Sequence, residues 1–175
     1  MKSIDSPPAG PEHFDEAVAP GPSVIESASE MICALLMIAA VILIGAEAIA
    51  RNFFATSLQI TDEVGGYILV AVTFLSMSVA EAHGAFHRVE LIQAHLKFST
   101  RMIAQIVFDL ISLVAASLVT WQLSRLVLNS WHSQDVAPTP LQTPLWLPQS
   151  AMAIGMALLC YALIRTILAK VKRVL

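Results

Sequence analysis

Apolar residues run through this chain in four long blocks separated by short polar intervals. "MICALLMIAAVILIGAEAIA" fills positions 31 to 50, "VGGYILVAVTFLSMSVAEA" 64 to 82, "MIAQIVFDLISLVAASLVTWQLSRLVL" 102 to 128 and "LWLPQSAMAIGMALLCYALIRTIL" 145 to 168. About 20 apolar helical residues cross a hydrocarbon layer ~30 Å thick, and each block is of that order. Hydrocarbon offers no water to unpaired backbone groups, and the strand-type alternation of a barrel is missing, so the blocks predict helices. The fold class expected is all-α: an integral membrane four-helix bundle spanning 28 to 168. Ahead of it, residues 1 to 23 hold five of the nine prolines together with Asp5, Glu12, Asp15 and Glu16, a mixture that cannot bury enough apolar surface to order itself. A disordered cytoplasmic tail is expected there, and a short basic cytoplasmic tail at 169 to 175. Only Lys2 stands where a signal peptide would carry its basic region, so the first helix is expected to be retained.

Between the second and third blocks, "EAHGAFHRVELIQAHLKFSTR" (81 to 101) has a helical period of its own. Glu90, Lys97 and Arg101 fall on one side and Val89, Ile92 and Leu96 on the other. This predicts a short interfacial helix at the cytoplasmic surface, its apolar side sunk into the acyl boundary. Orientation follows from the cations. Arg88, Lys97, Arg101, Arg165, Lys170, Lys172 and Arg173 lie on one side of the spans and only Arg51 and Arg125 on the other, which places both termini in the cytoplasm. Trp121, Trp131 and Trp146 then form an aromatic belt at the opposite face.

Composition narrows the function classes. The chain is 57% hydrophobic with a mean hydropathy of +0.72, 13% charged and formally −3, which leaves no basic surface for nucleic acid. Cys33 and Cys160 stand alone in apolar runs, without redox or zinc spacing. His83, His87 and His95 cluster at one boundary, with His132 opposite and His13 in the tail, so no pair is placed to ligate haem at mid-membrane depth. Phosphate loops, zinc pairs and nucleophile elbows are missing from the sequence, and no catalytic, cofactor-binding or metal residue is assigned. The chain does not read as an enzyme.

Ionisable residues inside spans are costly and each needs an account. Glu47 and Arg51 are spaced for a local ion pair near the outer end of the first helix. Asp62 and Glu63 open the second helix, where the dipole favours carboxylates. Asp109 lies two turns into the third. Its charge calls for Gln105 one turn earlier, a partner chain or water, and both a partner-helix contact and a proton relay stay open.

The order of short signals resembles the DctQ-like small membrane subunit of tripartite ATP-independent periplasmic (TRAP) transporters. "ARNFF" closes the first helix and an acidic pair opens the second, matching Arg51, Phe53, Phe54, Asp62 and Glu63, with Ile60 and Thr61 where that family usually has an aromatic before the pair. A cytoplasmic motif matches Gly84, Val89, Glu90 and Leu91, and a proline-aromatic entry with a later glycine matches Pro144, Trp146, Pro148 and Gly155. The resemblance implies a non-catalytic subunit in the bacterial inner membrane. Its partners would be a large multi-helix DctM-like transport subunit and a periplasmic substrate-binding protein, with no cofactor in this subunit and sodium ions in the large one. The competing reading is a small proton-coupled multidrug-type exporter acting as a dimer, with Glu47 or Asp109 as its carboxylate. A redox membrane anchor would need ligands that this chain does not place.

Overall fold

The computed structural model describes residues 23–54, 60–84, 98–139 and 141–174. They form the helices α1 (Val24–Phe54), α2 (Ile60–Ala82), α3 (Phe98–Ser133) and α4 (Trp146–Val174), each long and apolar enough to cross a membrane. Among the described residues the expected all-α architecture is observed, with four helices where the four spans were expected. The expected interfacial helix falls almost wholly on residues 85–97, which lie outside the described residues, together with Arg88, Val89, Glu90, Ile92, Leu96 and Lys97. The proline-rich tail also lies outside them, save Ser23.

The helices run past their apolar blocks because polar groups close their ends. Ser23-Val24-Ile25-Glu26 is half of a capping box: the Ser23 N–H donates to Glu26 Oε2 at 2.6 Å, and the Ser27 N–H makes the first helical bond to the Ser23 carbonyl at 2.9 Å. Helix α1 thus starts seven residues ahead of the block at 31. At the other end of the chain α4 continues to Val174, through the residues expected as a basic tail. Gly84 ends α2 with φ 69°, a left-handed conformation that glycine adopts without a Cβ penalty. Pro148 sits in the first turn of α4, where a missing N–H costs nothing.

Packing arranges the helices as a row in the order α1, α2, α4, α3, with α2 and α4 in the middle and α1 and α3 as flanks. The core gathers Ala116, Met156 and Leu163, surrounded by Phe74, Met77, Leu113, Leu123, Leu159 and Cys160. Gly155 fixes the α2–α4 approach: a Cβ there would lie 2.6 Å from the carbonyl carbon and oxygen of Phe74. Small residues let helices meet where lipid removes the usual hydrophobic drive. Hydroxyls inside the spans bond back to their own helices, as Thr73 does to the Leu69 carbonyl (2.7 Å), Ser117 to Leu113 (2.7 Å) and Thr120 to Ala116 (2.8 Å). The flanks, in contrast, show large apolar side chains outward, among them Leu35, Val41 and Ile42 on α1 and Ile111, Leu118 and Trp121 on α3.

A tight hairpin joins α3 to α4. Gln134 leaves the helix in the left-handed region (φ 52°), Val136 and Pro144 form an antiparallel bridge, and the N–H groups of Leu145 and Ala137 bond the carbonyls of Asp135 (3.0 Å) and Thr143 (2.9 Å). The hairpin brings Trp131 and Trp146 edge to face, with ring centroids 4.8 Å apart.

Candidate functional site: polar clusters at the two ends of the row

At the end where α1 begins and α4 finishes, acids and bases from different helices meet. Asp109 of α3 is fully buried, and its Oδ2 accepts a 2.6 Å charge-assisted bond from Nζ of Lys170, itself 5% exposed. Lys170 lies in the last two turns of α4, where the helix dipole also favours a cation. Glu26 is buried too, and its Oε2 accepts from Arg165 Nη1 at 2.6 Å as well as from the Ser23 N–H. The Arg165 guanidinium stands 6.0 Å from the centroid of Tyr161, within reach of a cation–π contact. So α4 supplies one cation to each flank, Arg165 to α1 and Lys170 to α3. Glu81, near the end of α2, is buried at this same end.

At the hairpin end the contacts shown join acids to hydroxyls. Glu47 Oε2 accepts from Thr61 Oγ1 at 3.2 Å, which ties α1 to the start of α2. Glu63 Oε1 accepts from the Tyr67 hydroxyl at 2.9 Å, and Thr139 and Thr143 of the hairpin face the same carboxylate. Local structure explains the Glu63 contacts: Glu63 and Tyr67 are one turn apart, and the hairpin's backbone bonds hold Thr139 and Thr143 over the first turn of α2.

The residues singled out in the sequence scatter over these features. Asp62 and Arg51 are exposed, Phe53 is 76% exposed at the end of α1, and Phe54 closes that helix. Glu63 is buried under the hairpin, Pro144 belongs to the bridge, Trp146 pairs with Trp131, and Gly155 meets Phe74 within the chain. Val89 and Glu90 lie outside the described residues. For Asp109 the structure adds a partner that the sequence reading lacked, a lysine 61 positions away. Glu26, Tyr67, Thr139 and Thr143 were not singled out, and Arg165 and Thr61 were named without these contacts. Two of them had a local signal: Glu26 in the Ser-x-x-Glu start, and Tyr67 one turn after Glu63.

These arrangements fasten helices: ion pairs hold both flanks to α4 at one end, and hydroxyls clasp carboxylates at the other. No curated protein matches the chain. The sequence pattern of the family described as "Tripartite ATP-independent periplasmic transporters, DctQ component" matches residues 27–173, spanning all four helices, and the chain belongs to that family of transporter components.

Proposed function

We propose that this small TRAP subunit is a non-catalytic scaffold. It pairs in the bacterial inner membrane with a large DctM-like subunit that performs sodium-driven uptake of an organic acid delivered by a periplasmic binding protein. The observation that supports this most is the use of Asp109. A carboxylate held at 2.6 Å by Lys170 and shut off from solvent serves to join α3 to α4, which is how a scaffold spends a buried charge. The outward apolar faces of α1 and α3 suit a partner's helices and lipid. An exporter of the multidrug type would need such a carboxylate open to proton and drug in turn.

Reconstitution tests the reading. Vesicles holding this chain, the large subunit and the binding protein should accumulate an anionic substrate when sodium is supplied, and vesicles holding this chain alone should not. Asp109→Asn combined with Lys170→Gln removes both charges, and complexes carrying the pair should keep most of their uptake. Proton-driven expulsion of cationic dyes by the chain alone, abolished by that double variant or by Glu47→Gln, would overturn the scaffold.

A further inference from the structure

Beneath the hairpin, two buried oxygens are left over. Glu63 is 9% exposed, and while its Oε1 accepts from Tyr67, its Oε2 has no hydrogen-bond partner among the described residues. Thr139 Oγ1, which faces the carboxylate, is likewise buried without one. The groups shown around Glu63 are the hydroxyls of Tyr67, Thr139 and Thr143 and the Thr143 N–H, all neutral. A carboxylate withdrawn from water is costly without a counter-charge, and neutral donors offset only part of that cost.

We propose that Glu63 Oε2, with the hydroxyl oxygens of Thr139 and Thr143, binds a small monovalent cation of the sodium type under the α3–α4 hairpin. The donor chemistry sets the class. Carboxylate and hydroxyl oxygens are hard ligands, and hard ligands select hard cations over transition metals. One carboxylate balances one positive charge, and among the described residues no group of three His, Cys, Asp or Glu side chains gathers to hold a more highly charged ion. Asp62, exposed beside the site, adds negative potential at this end that draws cations in. The bound ion ties the first turn of α2 to the hairpin, and so to the Trp131–Trp146 pair at the hairpin's two feet. This site is independent of the ions assigned to the large subunit, and its failure would leave the scaffold reading standing.

The test uses the full chain, purified in detergent and freed of sodium by exchange into choline chloride at neutral pH. Sodium chloride replaces choline chloride at constant ionic strength while tryptophan emission and thermal unfolding are followed. The expected result is a saturable change in emission with a raised unfolding temperature in sodium, lost in Glu63→Gln and shifted to roughly tenfold higher sodium in Thr139→Val, as for a lost ligand. The wild-type comparison needs no variant, so a destabilised Glu63→Gln cannot shelter the proposal. Identical behaviour in sodium and choline overturns it, as does a sodium response that survives Glu63→Gln. A response to pH alone also overturns it and assigns the buried carboxylate to protonation.

Discussion

Asp109 and Lys170 stabilise one another while both are present, and replacing Asp109 removes the carboxylate that the buried Lys170 is paired with. Breaking one side of such a pair costs about 3–5 kcal/mol, whereas removing both is often neutral. Asp109→Asn alone should therefore lower the unfolding temperature sharply in detergent, and adding Lys170→Met should restore most of the loss; a double variant no better than the single one would mean that the pair contributes nothing as a pair. Gly155 makes a second residue-level case. A methyl group at 2.6 Å from the Phe74 backbone cannot be met by a side chain swinging away, so α2 and α4 must separate. Gly155→Ala should destabilise by about 1–3 kcal/mol, the usual range for overpacking. Gly66, with nothing within 4 Å of its added Cβ, is the control, and Gly66→Ala should be neutral or stabilising by up to about 1 kcal/mol through helix propensity. The sequence marks Asp109 as unusual by its place in an apolar block, yet it does not give Lys170, since a lysine past the last block reads as a solvated tail. Gly155 is visible as a small residue, but which neighbour it admits depends on helix order, and no periodicity encodes that.

Among the elements, the centres of the four helices are legible and their ends are not. Hydropathy reports which residues avoid water and is blind to a helix that continues through polar residues with partners elsewhere in the fold. Helix α1 shows the cause: Glu26 caps the first turn and pairs with Arg165, so residues before the apolar block become helical by bonding to α4. Replacement should separate the two roles. Glu26→Gln keeps an oxygen for the Ser23 N–H and loses the charge, and Glu26→Ala loses both; loss of a cap alone costs about 0.5–2 kcal/mol. Amide exchange in residues 24–30 should rise in the order wild type, Gln, Ala. If exchange changes only in α1 and the α4 residues around Arg165 stay as protected as before, the contact does not join the two helices.

The row order has a consequence for the molecule's orientation in the membrane. Helix α4 offers its cations to both flanks, so Arg165 and Lys170 are taken up by Glu26 and Asp109 and are no longer free for lipid headgroups. With these two set aside, the positions of Arg88, Lys97, Arg101, Lys172 and Arg173 along the sequence still count for one side of the spans, against Arg51 and Arg125 for the other, a bias of five to two in place of seven to two. Orientation follows the distribution of Lys and Arg near the spans and takes little account of acids, so the internal pairing leaves our proposal of termini inside and hairpin outside unchanged. Cysteine labelling checks this directly. In a background with Cys33 and Cys160 replaced by alanine, Ser133→Cys at the exposed end of α3 should react with a membrane-impermeant maleimide added to intact cells whose outer membrane has been opened. Ser99→Cys, at the opposite end of the same helix, should react only once the inner membrane is broken. A helix of 36 residues, ~54 Å long, cannot place both of those ends on one side of a ~30 Å layer while crossing it, so labelling of both from outside would require α3 to lie along the membrane and would overturn the four-span topology itself.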